Sequence, residues 1–219
     1  MQNNDLLADR LTETLSDNTF FLEKAGSRRL VTRDLVHEEY RIWDPYRSKL
    51  AGLILKGSSV SIKSTYSVLY LGAANGTTAS HVSDIVSEGT VFAVEFSTRT
   101  MQDLIKISVQ RANLVPILAD VRYPESYKNM MPKVDIIYQD VAQRDQAGIA
   151  IRNAELHLKK DGLLILMIKS RSINSVRKNY EVIDEEVNKL KRFFKVEELL
   201  DLEPFQSDHK AAVVTKKSQ

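Results

Sequence analysis

The side chains best suited to chemistry stand where predicted strands end in the middle of the chain. Five apolar segments alternate with helical patterns, and the first runs into a glycine-rich turn at residues 72–76. The next three end on acidic residues, Glu95, Asp120 and Asp140, and the fifth ends on Lys169. Because ligands of open α/β sheets bind beyond the carboxyl ends of the strands, we expect these groups to surround one ligand. A single acidic strand end is commonplace as a helix cap, but this succession favours a binding site.

The glycine turn follows a strand and precedes a helix within the segment Val68–Thr78. Gly72 and Gly76 let the backbone approach a ligand where a Cβ would collide. The two threonines that follow, Thr77 and Thr78, can cap the helix and donate hydrogen bonds to a ligand. A glycine turn at a helix N-terminus forms a nucleotide-type pocket in open α/β sheets. Because G-x-x-x-G also occurs in ordinary tight turns, the other strand ends must decide its meaning.

The combination of strand ends favours a ligand that contains adenosine. Glu95, after the second strand, can accept hydrogen bonds from both ribose hydroxyls, and the carboxylate of Asp120 or the neighbouring backbone can meet an adenine edge. The turn has no lysine, which excludes the phosphate loop of nucleoside triphosphatases. It also lacks the third closely spaced glycine of the dinucleotide-binding fingerprint. Adenosine carrying a small charged group, such as S-adenosylmethionine, fits these residues better.

Strands and helices alternate from residue 67 onward. Apolar strands separated by helices predict a parallel sheet buried on both faces. The predicted strands cover residues 67–73, 90–96, 115–119, 134–139 and 163–168, and the predicted helices cover 77–86, 98–110, 146–158 and 175–194. Two last strands, 196–202 and 211–215, have only a short loop between them and predict an antiparallel hairpin at the sheet's edge.

The first quarter of the chain predicts a small β-rich domain. A short helix is expected at 6–15, strands at 20–23, 30–36 and 40–43, and a helix at 47–56 that leads into the main domain. We place the boundary between residues 1–48 and residues 49–219. Trp43 is interpreted as core of the small domain, with an exposed stacking platform as the alternative.

Composition restricts the possible functions of the 219-residue chain. It contains no cysteine, and the histidines at 37, 81, 157 and 209 lack metal-ligand spacing, so no metal site is predicted. No apolar run approaches membrane-spanning length and the first ten residues are polar, so a cytoplasmic protein is expected. The 31 basic residues nearly balance the 29 acidic ones, which neither requires nor excludes nucleic acid.

Several motifs together resemble the fibrillarin family. They are Leu71–Thr78, Val94–Ser97, Asp140–Gln143, the pair Ile168–Lys169 and the earlier segment Tyr40–Leu50. The similarity extends from about residue 20 to the end, with Asn75 where the family usually has serine. The glycine–arginine-rich tail of the eukaryotic members is absent, so the chain is similar to the shorter archaeal form.

The resemblance implies a fold, a reaction and partners. The implied fold is α/β, the Rossmann-like class I methyltransferase fold: a mostly parallel seven-stranded sheet with an antiparallel C-terminal hairpin, preceded by the small β-rich domain. The implied reaction is S-adenosylmethionine-dependent 2′-O-methylation of rRNA or tRNA inside a box C/D ribonucleoprotein. The implied partners are a Nop-family scaffold protein, a kink-turn-binding ribosomal-type protein and a guide RNA. The residues that would form the cofactor site are Gly72, Ala73, Thr77, Thr78, Glu95, Phe96, Asp120, Val121, Asp140, Val141, Ala142 and Gln143.

The resemblance also implies a catalytic set of Lys49, Asp140, Lys169 and His209. Related RNA 2′-O-methyltransferases often use two lysines and an aspartate with a fourth polar residue. Lys169 is expected to meet the 2′-oxygen, either as a neutral base or as a charged group that stabilises the developing alkoxide. Asp140 is interpreted as an orienting group that also favours the cofactor's positive charge.

The target RNA is expected to cross the strand-end face. The predicted phosphate contacts are Arg144, Arg171, Arg177 and Lys178, flanked by the segment 47–56. Few base-reading groups suit a system in which a guide RNA selects the target. Two alternatives remain at this point: a methyltransferase that acts on proteins or small molecules, and a catalytically idle ribonucleoprotein subunit that binds cofactor.

Overall fold

Two sheets organise the computed structural model, which describes residues 10–24 and 26–217. The smaller sheet is antiparallel and contains four strands in chain order: β1 (Arg10–Glu13), β2 (Thr19–Lys24), β3 (Ser27–Asp34) and β4 (Glu39–Ile42). The larger sheet contains seven: β5 (Ser67–Leu71), β6 (Thr90–Glu95), β7 (Leu114–Leu118), β8 (Val134–Gln139), β9 (Leu158–Lys169), β10 (Phe194–Asp201) and β11 (His209–Lys216).

The strand order of the larger sheet is β10-β11-β9-β8-β5-β6-β7. Strands β5 to β9 pair in parallel, whereas β11 runs antiparallel to both β9 and β10. The prediction of a mostly parallel sheet with an antiparallel hairpin at one edge is therefore confirmed. The chain leaves β5 for β6 on one side and returns to β8 on the other, which creates the topological switch point where such sheets bind ligands.

Alternating residues of β5 show why this sheet is buried on both faces. Val68 and Tyr70 belong to one apolar cluster, whereas Leu69 and Leu71 belong to another on the opposite face. All four are at most 4% exposed. Because successive strand residues point to opposite faces, a nearly continuous apolar run is what a strand covered by helices on both sides requires.

In the part of the chain that the structure describes, six α-helices connect these strands: α1 (Lys49–Leu55), α2 (Thr77–Ile85), α3 (Thr98–Ser108), α4 (Gln146–His157), α5 (Ser170–Ile173) and α6 (Asn179–Lys191). A 3₁₀ helix, Pro124–Met130, was not predicted. The predicted helix at 175–194 is wrong at its start, because the Asn174 side chain accepts hydrogen bonds from the amides of Val176 (2.9 Å) and Arg177 (3.0 Å). This local turn delays the helix until Asn179.

The predicted helix at 6–15 is wrong where the structure describes it. Residues 10–13 form β1, which pairs antiparallel with β2 from Arg10↔Glu23 to Glu13↔Phe20, and residues 6–9 lie outside the described part of the chain. Hydrogen bonding to a preformed neighbouring strand outweighs the local preference of so short a segment. Strand β3 also ends earlier than predicted, at Asp34, because residues 35–38 turn and Glu38 adopts φ +53°.

The smaller sheet packs against α2 through buried charges. The Asp84 carboxylate, fully buried, accepts hydrogen bonds from Thr32 (2.7 Å) and Arg41 (2.6 Å) and also pairs with Arg111. The Arg111 guanidinium also pairs with the carboxylate of Asp34 in β3, with 2.6 Å between nitrogen and oxygen. The partners offset part of the cost of removing these charges from water, although burial still raises the pKa of Asp84. These contacts fix the smaller sheet to the larger one.

Trp43 and His81 form the apolar part of this contact. Trp43 is 1% exposed and stacks on the His81 ring with 5.1 Å between centroids. It belongs to the same apolar cluster as the helices of the larger sheet, so it is core, as the sequence indicated, and not an exposed platform. Burial, reinforced by the charges of Arg41 and Arg111, lowers the pKa of His81 to about 3.

This shift predicts a pH-dependent stability. In the unfolded chain His81 takes up a proton near pH 6.5, whereas the folded protein excludes that proton down to about pH 3. The free energy of unfolding should therefore fall as the pH is lowered through this window. Urea unfolding at pH 7 and pH 5 should show that the wild type loses about 2 kcal/mol more than His81→Gln. Identical losses in the two proteins would contradict the assignment.

Candidate active site

The glycine turn approaches the end of β8 more closely than any other residue type would allow. Gly72 has φ +83°, and a Cβ built on it would lie 2.5 Å from the carbonyl oxygen of Asp140. Its amide donates to the carbonyl of Val94 at 3.0 Å, and the Asp140 amide donates to the carbonyl of Leu71 at 3.0 Å. The ends of β5, β6 and β8 are therefore bound to one another, and only glycine fits between them.

Glu95 connects the turn to the next helix. Glu95 is only 6% exposed, and its carboxylate accepts hydrogen bonds from the backbone amides of Ala74 (2.9 Å) and Ser97 (2.8 Å). Ser97 in turn caps α3, because its hydroxyl accepts from the Thr100 amide. Each Glu95 oxygen accepts one backbone hydrogen bond, and carboxylate oxygens have further lone pairs for ribose hydroxyls.

A cleft of about 310 Å³ opens beside this carboxylate. We name it the Glu95 cleft. Phe96 at its border is 67% exposed, so a face of its ring is available to a flat aromatic ligand. The residues that line the cleft are Gly72, Ala74, Val94, Glu95, Phe96, Asp120, Val121, Arg122, Asp140, Val141, Ala142 and Gln143.

Asp120, which lines the Glu95 cleft, is paired with a neighbouring arginine. Both of its oxygens accept from the Arg122 guanidinium at 2.6–3.0 Å, and the Arg122 amide also donates to it at 2.9 Å. These hydrogen bonds lower the pKa of Asp120. Arg122 lines the cleft and was missed, although a cation two residues after a strand-end acid was a visible signal.

The threonines after the turn do not cap α2, which corrects one expectation. The cap is Gly76 at φ +86°, and it offers no side-chain hydrogen bond. The Thr78 hydroxyl instead donates to the Ser48 hydroxyl at 2.9 Å, and Thr77 donates to the Asn75 side chain at 3.1 Å. Ser48 caps α1 and thereby fixes the start of that helix beside the glycine turn.

A second cleft, of about 450 Å³, continues from the first past the turn. We name it the Lys169 cleft. The two clefts share Gly72, Ala74, Asp140, Val141 and Ala142, and together their linings contain all twelve residues predicted for the cofactor. The remaining residues that line the Lys169 cleft are Arg47, Lys49, Tyr70, Ala73, Asn75, Thr77, Thr78 and Lys169.

Three of the four predicted catalytic residues converge on this second cleft. Lys49 begins α1, and its Nζ lies 2.8 Å from Oδ2 of Asp140, which follows β8. Lys169 ends the neighbouring strand and lines the same cleft. In the described part of the chain its ammonium makes no hydrogen bond and no ion pair. A lysine that lines a cleft without a protein partner is free to meet a ligand.

The fourth predicted residue, His209, lies on the strand next to Lys169 and does not line either cleft. It begins β11, where it pairs across the sheet with Lys169. Its Nδ1 lies 2.6 Å from the carbonyl oxygen of Ser207 and must donate to it, whereas the buried Nε2 has no hydrogen-bond partner among the described residues. Burial lowers the pKa of His209, and the charges of Lys49 and Lys169 lower it further. The ring is therefore neutral near pH 7, with an unprotonated Nε2.

The predicted phosphate contacts differ in their surroundings. Arg171 pairs with Asp208 at 2.7 Å, and Arg177 pairs with Glu185 of α6 at 2.6 Å. Arg144 lines a third groove, next to the Glu95 cleft, together with Arg122 and Arg152. The third groove therefore brings together three arginines, two of which, Arg122 and Arg152, also pair with acidic neighbours.

Two further properties concern metals and membranes. Within residues 10–24 and 26–217, no three His, Asp or Glu side chains come together as metal ligands would. None of the helices in that part of the chain has the length and apolarity that crossing a bilayer requires.

The fold and the site together define a class of protein. A mostly parallel sheet with an antiparallel edge hairpin, a glycine turn after its central strand and an acid at the end of the next strand form the Rossmann-like methyltransferase fold. The fibrillarin family model matches residues 9–218. The chain belongs to the fibrillarin family.

Relatives agree with this assignment over most of their length. A fibrillarin-like rRNA/tRNA 2′-O-methyltransferase of Pyrococcus horikoshii is 46% identical over 211 residues, which cover 89% of this chain and 93% of the relative. The solved structure of a Methanococcus jannaschii fibrillarin pre-rRNA processing protein gives a TM-score of 0.90 at 38% identity, covering 96% of this chain and 99% of that one.

Two other solved structures contain bound molecules. One is a complex of fibrillarin with Nop5p, whose fibrillarin-like chain gives a TM-score of 0.87 at 38% identity and covers 94% of this chain and 100% of its own. The other is Aeropyrum pernix fibrillarin with natively bound S-adenosyl-L-methionine, with a TM-score of 0.82 at 36% identity, covering 94% and 99%.

The contact of Gly72 with Asp140 predicts the effect of adding a methyl group there. Gly72→Ala should destabilise the protein by about 1–3 kcal/mol beyond the cost of the left-handed backbone. Gly57→Ala is the matched control, because Gly57 also has φ +83° but has no atom within 4 Å of the new Cβ. That control should lose about 1–2 kcal/mol. Urea unfolding measures both variants, and equal losses would show that the close approach is unimportant.

Proposed function

We propose that this chain transfers a methyl group from S-adenosylmethionine to the ribose 2′-hydroxyl of rRNA and tRNA. The observation that carries this proposal is the convergence of Lys49, Asp140 and Lys169 on one cleft that continues from the Glu95 cleft. Cations beside the expected methyl position suit an oxygen nucleophile that develops negative charge. The names of the family relatives support the same activity.

The residues present fit S-adenosylmethionine. The Glu95 carboxylate would hold the ribose hydroxyls, and the exposed Phe96 ring would cover one face of the adenine. The close approach at Gly72 leaves backbone, not side chain, between the two clefts, so a ligand can extend from one into the other. Bound there, the cofactor would supply an electrophilic methyl group on a positively charged sulfur, which the Asp140 carboxylate favours.

Positioning of the hydroxyl is the main task of the protein. A reacting oxygen held in line with the methyl group gains from pre-organisation, which is worth up to about 7–11 kcal/mol in favourable cases. We assign the contact with the 2′-oxygen to Lys169, since its amine is free, and the orientation of Lys49 to Asp140. We propose the Nε2 of His209, unpaired among the described residues and on the strand next to Lys169, as an acceptor for the proton.

Removing the Lys169 amine should separate catalysis from cofactor binding. Lys169→Ala is expected to lower turnover at least ~100-fold while the dissociation constant for S-adenosylmethionine changes by less than about twofold. Asp140→Ala should weaken both, because Asp140 lines both clefts and orients Lys49. The matched control is Lys160→Ala, an exposed lysine at the other end of β9.

Labelled-methyl transfer and calorimetric titration of the cofactor measure the two quantities. If turnover were unchanged in Lys169→Ala, the assignment of this lysine would be wrong. If the wild type bound cofactor but transferred no methyl group in a complete complex, a structural subunit would be the better description.

We further propose that the chain acts in a ribonucleoprotein with a Nop-family scaffold, a kink-turn-binding ribosomal-type protein and a box C/D guide RNA. The complex of a related fibrillarin with Nop5p supports the scaffold, and family membership supports the other two. The chain itself offers arginines for phosphates and no evident set of base-reading groups, which suits guide pairing. Because the relatives that it resembles are archaeal proteins, we place the activity in the cytoplasm.

Dependence on partners gives the corresponding prediction. The purified chain should bind S-adenosylmethionine but methylate target RNA at most weakly, and addition of scaffold, kink-turn protein and guide RNA should raise site-specific methylation at least ~100-fold. Mass spectrometry of the target nucleotide is the measurement, and a guide of unrelated sequence is the control. Robust, site-specific methylation by the chain alone would contradict guide dependence.

A further inference from the structure

The backbone of Lys169 extends beyond the strand that should pair with it. On one side β11 continues alongside, with His209 opposite Lys169. On the other side the pairing of β8 with β9 stops at Gln139↔Leu166, because the next residue, Asp140, turns toward β5. An unpaired strand end would leave a buried amide and carbonyl without partners or let the chain move.

The side chain of Gln146 replaces the missing strand. Its Oε1 accepts the Lys169 amide hydrogen at 3.0 Å, and its Nε2 donates to the Lys169 carbonyl at 3.4 Å. An amide side chain carries the same donor and acceptor as a peptide group, so it can satisfy both backbone groups of one residue. Gln146 is 0% exposed, which excludes water as a competitor for these hydrogen bonds.

The first turn of α4, which carries Gln146, is itself fixed from two directions. The Gln146 carbonyl accepts from the side chain of Gln139, the last residue of β8, at 2.8 Å. The amide of Ala147 donates to the buried Glu186 carboxylate of α6 at 2.6 Å. Asp145 caps the helix by accepting from the Gly148 amide. Gln146 therefore transmits the position of a rigid helix end to the end of β9.

We propose that Gln146 is a positioning residue for Lys169. Among the described residues the Lys169 amine has no hydrogen-bond or ion-pair partner to orient it, so its location depends on the backbone from which the side chain extends. Gln146 fixes that backbone by two hydrogen bonds while it contributes no atom to either cleft lining. The catalytic consequence rests on the proposed function, whereas the structural consequence does not.

Gln146→Met tests the inference, because methionine has a similar length and no amide. In the reconstituted complex its kcat should fall ~10–100-fold, since small displacements of a catalytic group are costly, while cofactor affinity stays within about twofold. Hydrogen exchange of the Lys169 amide should accelerate about tenfold, because the hydrogen bond that protects it is gone. Gln146→Glu, which retains the acceptor for the Lys169 amide, should lose less of this protection than Gln146→Met.

Asn113→Leu is the matched control for the loss of a side-chain amide. Asn113 donates to the carbonyls of Ser83 (2.8 Å) and Val86 (2.9 Å), near the far end of α2. It should lower stability without changing kcat or the exchange of the Lys169 amide.

Each outcome discriminates between the two proposals. Unchanged Lys169 exchange in Gln146→Met would overturn the inference whatever the enzyme does. Faster exchange with an unchanged kcat would overturn the catalytic part alone, provided that the wild-type complex is active. An inactive wild-type complex would count against the proposed function, and the exchange measurement would still decide the structural part. If Gln146→Met does not fold, Gln146→Leu, which also removes the side-chain amide, carries the same two measurements.

Discussion

The parallel pairing of β5 with β8 is the constraint on which the site depends. It places Leu71 opposite Gln139, so that the two strands diverge at Gly72 and Asp140. At this point the backbones of Gly72 and Asp140 lie too close for a Cβ on residue 72. Divergence at this point opens one cleft toward β6 and another toward β9, and it leaves the Asp140 carboxylate at the boundary of both. The Glu95 cleft and the Lys169 cleft therefore both arise where β5 and β8 diverge, one on each side of that point.

The elements that complete the site come from distant parts of the chain. Lys49 reaches Asp140 because Ser48, fixed by Thr78, starts α1 beside the glycine turn, and because buried charges attach the smaller sheet to α2. On the other side β11 pairs with β9, and its His209 stands opposite Lys169. The amine of Lys169 is thus left free in a framework whose other polar groups are mostly satisfied. Such pre-organisation suits methyl transfer, because the attacking oxygen must be held in line with the methyl group.

The sequence was enough to predict an element where its local residue pattern agrees with its burial in the folded protein. Nearly continuous apolar runs identified the buried parallel strands, and the acids after them marked the strand ends that the structure brings together. It did not suffice for β1, whose strand state depends on pairing with β2, or for the start of α6, which a single asparagine delays. Lys49 was found only through resemblance, because 91 residues separate it from Asp140. Gln146 carried no signal, since an amide shows its role only when its partners are located.

The central claim is that the acceptor of the methyl group is a ribose 2′-hydroxyl held against Lys169. The most direct measurement uses the reconstituted complex, labelled S-adenosylmethionine and two target RNAs that differ at one position. One RNA has a ribose at the guide-selected nucleotide, and the other has a 2′-deoxyribose only there. The labelled methyl group is expected on that nucleotide in the first RNA, and no label is expected there in the second. Equal labelling of both RNAs would contradict the claim.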